Sequence, residues 1–293
     1  MKNKPYGGLM MMRMAFFPLI FFLFGFQSLS VTPLAEQFER TGYVEICGEK
    51  HAAATFDSLY ASFDKLIEFL QAHPVWAQKL YSAKERFIRS KDRKYYSTDF
   101  FGFYDESERE GRNQVSFYYS THFHEFICSH YAEFNQVPEI IGFFEACREI
   151  QKPCGNLLTE AAARLGLEAI FSSKYGRPPI LLKVIKYLPS YVAGRPHYDG
   201  TAFSLFLDST DNQSLLLSPY KSSLTVDDFS SPSRGQNSIL LVPGVLLTEF
   251  SIYPTPHIVT QSGHIRYATV AFGMRPNYTP QKIEFSPLPS FKD

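Results

Sequence analysis

The sequence predicts an α+β chain with a mainly β core and helices packed around it from the N-terminal half. Two textures and the break between them carry this reading. Up to residue 176 the apolar positions recur at helical spacing, whereas from 177 onward short β-type runs alternate with turns. The segment Lys174-Tyr-Gly-Arg-Pro-Pro179, rich in chain breakers, lies between them. The expected organisation is a signal-like or anchoring segment at 1–30, a helical and mixed region at 31–176, and a β core at 177–293.

Taking the elements in order, Lys2, Lys4 and Arg13 precede a charge-free apolar run, Met14 to Phe26, followed by small residues at Ser28 and Ser30. Its 13 residues suit a signal-peptide core better than a membrane span of about 20. Later initiation at Met10, Met11, Met12 or Met14, or a buried first strand, would account for the same residues. The chain is expected to be exported or anchored if 1–30 acts as a signal, and cytoplasmic otherwise; membrane contact is foreseen only through 14–26.

A short helix with Leu34 and Phe38 on one stripe then runs into a strand at Tyr43 to Cys47. Phe56, Leu59, Tyr60, Phe63, Ile67 and Leu70 mark a longer helix that His73-Pro74 ends, and another is expected from Trp76 to Ile88. Loops and short strands fill Arg89 to Tyr119. Helices return at Glu139 to Glu149 and Leu157 to Phe171. Strands are expected at Ile180–Leu188, Ala202–Leu207, Gln213–Ser218, Ser238–Val242, Leu246–Ser251 and Tyr267–Met274, the spacing of a sandwich or barrel. The Ser- and Asp-rich stretch Lys221 to Gln236 reads as a surface loop.

Composition narrows the function classes. Lys plus Arg and Asp plus Glu number 29 each, so no net field recruits nucleic acid or an anionic membrane. The four cysteines, Cys47, Cys128, Cys147 and Cys154, lack C-x-x-C spacing and read mostly as buried thiols; in an oxidising compartment Cys147 and Cys154 could bridge across a short loop. There is no phosphate-binding glycine loop, no G-x-S-x-G elbow and no H-E-x-x-H helix.

The chemistry concentrates in Arg195-Pro-His197-Tyr-Asp199-Gly. On a strand, residues two apart share a face, so His197 and Asp199 aim an imidazole and a carboxylate at one point. His257, sixty positions on, supplies a second imidazole if the strands double back. Two imidazoles and one carboxylate form a facial set that leaves three positions open on Fe(II), enough for a chelating 2-oxo acid and O₂. Arg266, nine residues later at the head of the last apolar run, offers a guanidinium for a distal carboxylate.

These motifs resemble the isopenicillin N synthase-like group of the 2-oxoglutarate/Fe(II)-dependent dioxygenases. That family's pattern is H-x-D, a distal His in an HRVV-type segment, and R-x-S on the last strand. The matching stretches are Lys183–Pro189, His197–Leu207, Gln213–Leu217, Ile239–Phe250 and Pro256–Pro276, with Phe38–Ile46 similar to the family's opening helix and strand. The resemblance implies a double-stranded β-helix (jelly roll) wrapped by N-terminal helices. It implies iron on His197, Asp199 and His257, and 2-oxoglutarate on Arg266 with Tyr187. It departs in three places: Ala268 stands for the serine of R-x-S, Tyr187 is one position out of phase with the tyrosine of N-x-Y-P, and Ile258-Val-Thr replaces Arg-Val-Val.

Other histidines compete. His122 and His124 would share a face on a strand, with Cys128 and His130 close by; aromatic packing accounts for them more simply than zinc, and they are candidates, with Tyr198, for bordering a substrate pocket. His264 beside Gly263 reads as a loop residue, and His51 and His73 as loop and helix-end residues. The activity expected is hydroxylation, desaturation or cyclisation of a small organic substrate with release of succinate and CO₂. Fe(II) is the cofactor; 2-oxoglutarate and O₂ are co-substrates. The alternatives are an iron oxidase of the same fold that needs no 2-oxoglutarate and a non-catalytic binding module.

Overall fold

A computed structural model describes residues 33–46, 53–96, 98–107, 113–172, 178–189, 194–211, 213–235, 238–260, 262–276 and 288. Its N-terminal part holds helix α1 (Leu34–Thr41), strand β1 (Val44–Ile46), helices α2 (Ala53–Ala72) and α3 (Pro74–Ile88), strands β2 (Gly102–Asp105) and β3 (Gln114–Tyr119), and helices α4 (Thr121–His130) and α5 (Pro138–Arg164). Strands follow at β4 (Ile180–Tyr187), β5 (Phe203–Ser209), β6 (Leu215–Leu217), β7 (Ile239–Pro243), β8 (His257–Val259) and β9 (Arg266–Gly273). The apolar run Met14–Phe26, Cys47 and His51 lie outside the described residues. Among the described residues no helix is long and apolar enough to cross a membrane.

The main sheet has seven strands in the order β1-β7-β5-β9-β4-β3-β2, antiparallel throughout, and a smaller sheet pairs β6 with β8. Between them lies a small apolar core of Phe206, Leu215, Leu217, Leu240, Val242 and Val270. The main sheet's other face meets the helices, where Phe63 and Phe117 pack on Phe143 at 5.2 and 5.0 Å between rings. Polar contacts fix α2 to that outer face: Asp64 accepts from Lys186 at 2.7 Å and from Tyr267 at 2.6 Å, and Tyr60 donates to Asp208 at 2.8 Å.

Strand alternation sorts β4 cleanly. Lys186 points outward to Asp64, so Lys183, Ile185 and Tyr187 share the inner face. Register places Leu240, Phe206, Val270, Lys183 and Tyr118 in one row across five strands of that face.

Three expected elements take another form. The helices foreseen at Glu139–Glu149 and Leu157–Phe171 are one helix, α5, running through Pro153 to Arg164. Its buried stripe of Cys147, Ile150, Cys154, Leu158 and Ala161 continues unbroken, and burying it outweighs the roughly 3 kcal/mol that an internal proline costs. The run to Phe171 breaks at Gly166, with φ of 69°, and resumes as a short 3₁₀ turn at Glu168–Phe171. Cys147 and Cys154 are free buried thiols seven positions apart on this helix, a rise of about 10 Å that no disulfide spans.

The strand foreseen at Leu246–Ser251 is a 3₁₀ turn, Val245–Phe250. Its amides are engaged elsewhere: Val245 N–H donates to the Asp199 carbonyl and Leu246 N–H to the Thr201 carbonyl, both at 2.9 Å. The strand foreseen for His122 and His124 is helix α4, capped by Ser120, whose hydroxyl accepts from Phe123 N–H at 3.1 Å.

The turn at Gly244 lies so close to Thr201 that a Cβ at 244 would collide with the Thr201 carbonyl. Gly244→Ala is therefore expected to lower the unfolding free energy by about 1–3 kcal/mol, the usual cost of overpacking. Urea denaturation followed by circular dichroism measures it; an unchanged midpoint would show that the turn gives way freely.

Candidate metal centre

His197 lies just before β5, in an isolated antiparallel bridge with His257 at the head of β8: His197 N–H donates to His257 O at 2.9 Å and receives the reciprocal bond at 3.0 Å. Their rings consequently stand side by side, 4.2 Å between centroids. Asp199, on the same side as His197, brings a carboxylate oxygen to 3.7 Å from His257 Nε2 and 3.9 Å from His197 Nε2. Among the described residues these three form the group able to hold a metal ion, their ligand atoms all within 4.8 Å of one another.

The outer atoms of the ligands are tied down. His197 Nδ1 contacts the Arg195 carbonyl at 3.1 Å and His257 Nδ1 the Thr255 carbonyl at 3.2 Å. A carbonyl only accepts, so each Nδ1 carries a proton, and in the neutral ring Nε2 keeps its lone pair for a ligand. The Ser204 hydroxyl donates to the other carboxylate oxygen at 2.5 Å. Such outer contacts fix ligand orientation.

Electrostatics match. Desolvation by the groups packed on one side of His197, whose side chain is otherwise half exposed, and the neighbouring His257 push it down to about 4, so the imidazole is neutral and free to ligate. Burial would raise the Asp199 carboxyl, but the two imidazoles, the Ser204 hydroxyl and the charge of Lys183 together hold it below the ordinary carboxylate range.

Deeper between the sheets, Arg266 is 1% exposed, with the Tyr187 ring centroid 3.8 Å from its guanidinium carbon. One terminal nitrogen donates to the Thr260 carbonyl at 2.5 Å, while the buried Nε has no partner among the described residues. Burial draws its basicity down, opposed by Tyr187 and Asp211. The surrounding cavity is lined by Tyr187, Phe206, Leu215, Val259, Ala268 and Val270. Asp208, Asp211, Ser209, Ser214 and Arg234 share the lining, and the unpartnered Nε of Arg266 remains a donor that a ligand carboxylate can take up.

The remaining candidates lie elsewhere or play a side part. His122 is bonded to the Tyr96 hydroxyl at 2.7 Å, and His124 to the Tyr119 hydroxyl at 3.0 Å with Phe144 4.8 Å from its ring. Two residues apart on a helix they diverge by about 200°, so they do not share a face. Tyr198 turns away from the ligands toward Tyr220, 6.4 Å between rings, and burial pushes its phenol up to about 12. Ser204, Thr260 and Lys183 escaped the sequence reading. Period-2 alternation along Ile180–Tyr187 would have flagged Lys183 as one of two lysines of an apolar strand facing opposite ways.

No protein-family profile matches the chain, and no curated protein matches it in sequence. Solved structures match it in shape. The dioxygenase for auxin oxidation 1 from Arabidopsis thaliana, in a 2-oxoglutarate complex, shares 17% identity over 87% of this chain and 89% of its own, with a TM-score of 0.50. A 2OG-Fe(II) oxygenase family protein from Caulobacter crescentus gives 18%, 83%, 80% and 0.50 for the same measures. JOX2, solved with 2OG, Fe and JA, gives 16%, 87%, 72% and 0.51. The chain thus has the jelly-roll fold found in 2-oxoglutarate/Fe(II) oxygenase structures.

A histidine whose folded value lies below its unfolded value of about 6.5 costs nothing above that pH and loses stability as pH falls toward its folded value. The metal-free chain is therefore expected to lose stability from pH 6.5 to about 4 through His197. Asp199, also lowered, adds a loss below the ordinary carboxylate value in the same direction. Thermal unfolding across that range should show a shallower slope for His197→Gln; equal slopes would refute the assignment.

Proposed function

We propose that the chain is a non-haem iron(II) oxygenase that uses 2-oxoglutarate. The observation that carries this reading is the pairing of two sites: the His197, Asp199 and His257 cluster, and the buried Arg266 with its unsatisfied Nε in the adjoining cavity. The donor set suits Fe(II), since one carboxylate and two imidazoles on one side leave the opposite side open. Similarly folded proteins that have been solved with 2-oxoglutarate bound agree with this reading.

In this proposal Fe(II), with 2-oxoglutarate and O₂, supplies the oxidant that takes a hydrogen atom from a C–H bond, with succinate and CO₂ released. The chain's own residues position and shield. Asp199 and the two Nε2 atoms hold the ion, and the carbonyls of Arg195 and Thr255 keep both rings in the ligating tautomer. Ser204 holds the second carboxylate oxygen. Arg266 receives the distal carboxylate of 2-oxoglutarate, and Tyr187 braces the guanidinium face-on. Phe206, Leu240, Val259 and Val270 exclude water from the space between.

Anaerobic addition of Fe(II) and then 2-oxoglutarate is expected to raise a visible charge-transfer band, and aerobic incubation to release succinate. A chain that takes up iron and shows no band would favour an oxidase independent of 2-oxoglutarate; one that takes up no iron would leave a binding module. His197→Ala and Asp199→Ala should abolish iron binding. Ser204→Ala should weaken it about tenfold or more, as loss of an outer-shell hydrogen bond does. Arg266→Gln should retain iron and weaken 2-oxoglutarate about tenfold to a hundredfold, the worth of a charged hydrogen bond. Unchanged co-substrate affinity would remove Arg266 from this role.

A further inference from the structure

We propose that Lys183 and Tyr118 form the seat of a carboxylate carried by the prime substrate, so that the enzyme acts on acids with an apolar, ring-compatible body. This rests on the iron site proposed above and names its substrate class.

Strand β4 is apolar except for two lysines, and the structure gives them opposite duties. Lys186 faces outward and is taken up by Asp64 at 2.7 Å. Lys183 faces inward, in the row that runs from Leu240 through Phe206 and Val270 to Tyr118. Phe206 in that row lies 5.6 Å from the His257 ring, so the row passes beside the metal cluster. Lys183 stands two strands from Phe206, about 10 Å at ordinary strand spacing. That gap fits a body of a few carbon atoms between an ammonium-bound carboxylate and the cluster.

Charge and shape agree with the placement. The Lys183 field is among those felt at Asp199, His197 and Tyr187, so its positive charge acts on the space these groups share. On a half-buried apolar face that field is stronger than in water. The Lys183 ammonium sits 5.1 Å from the Tyr118 ring centroid, which orients it over an aromatic wall. Tyr118 continues into Phe100, stacked at 5.4 Å, and Tyr104, edge-on at 5.3 Å. In the adjoining row the buried Ser116 hydroxyl has no hydrogen-bond partner among the described residues, which adds an uncommitted donor to the same face. The inward-facing cations of β9 and β4 thus have separate tasks: Arg266, at the deep end beside Tyr187, for the co-substrate, and Lys183, four residues back along β4, for the substrate.

The test is calorimetric titration of the metal-free chain with 3-phenylpropionate and with 3-phenylpropionamide, which share a body and differ in charge. The acid is expected to bind at least tenfold more tightly; Lys183→Met should erase that preference, and Lys183→Arg should keep most of it. Should Lys183→Met fail to fold, Lys183→Gln is read in its place. Equal binding of acid and amide, binding of neither, or a preference that survives in Lys183→Met would overturn the seat; the last would mean that the acid sits on Arg266. The charge-transfer titration of the unmodified chain reports separately. Acid preference without the band would keep the seat and overturn the oxygenase, and the band without the preference would do the reverse.

Discussion

Burying the Asp199 carboxylate is the constraint around which the rest is arranged. Taking an ion out of water costs several kcal/mol even after relaxation. Its compensation within the chain comes from the Ser204 hydroxyl and the field of Lys183, the two imidazoles adding to it only when they carry a proton. The imidazoles reach it only because the backbones of His197 and His257 pair reciprocally, which joins the β5 approach to β8 of the smaller sheet. Two imidazolium ions 4.2 Å apart would repel, and desolvation favours the neutral form of His197. One anion among neutral donors is a group that a divalent cation completes, so the same constraint that shapes the fold points to the chemistry.

The second organising fact is the division of labour between the two faces of the main sheet. On the helix side, polar pairs such as Lys186 with Asp64 and Tyr60 with Asp208 hold α2 in place. On the inner side, Tyr187 and Arg266 line the cavity, Ser204 bonds Asp199 of the cluster, and Lys183 shares that face. A slip of one residue in the register of β4 against β9 would exchange the faces, exposing the scaffold's charges to the cavity and burying the site's charges under helices. The aromatic wall against α5 makes such a slip costly, because Phe117 and Tyr119 would lose their ring partners.

How much of this the residues disclosed follows from the range of each signal. Residues two apart in a strand need only local geometry, so His197 and Asp199 were legible as a pair. His257 and Arg266 were legible because order and spacing along the last strands restrict where they can go. Local periodicity also placed α1, α2, α3 and most of the strands. It failed where tertiary contacts override propensity: the amides of Val245 and Leu246 serve the loop of Asp199 instead of a ladder, and the stripe of α5 carries the helix through Pro153. His122 and His124 were misassigned to a strand because an alternating triplet does not distinguish a strand end from a helix start without the Ser120 cap. Carbonyl partners such as those of Arg195, Thr255 and Thr260 belong to every residue alike, and no side-chain pattern announces them.

Alanine at position 268 shows what the cavity gives up and what replaces it. A serine there would offer a distal carboxylate one more donor, worth about 1 kcal/mol. Position 268 shares the inner face with Arg266 and lines the same cavity, so the missing hydroxyl is not made good from its own strand. The guanidinium is instead pinned on two sides: the Tyr187 ring lies against its face, and Thr260 takes one terminal N–H. Pinning lowers the entropy lost when a ligand binds, because a buried, braced arginine has few rotamers left to surrender. On the proposed reading, the recognition that a serine would have shared falls to a pre-oriented Arg266, and Tyr187, displaced by one position from the tyrosine of the related pattern, serves by holding the arginine.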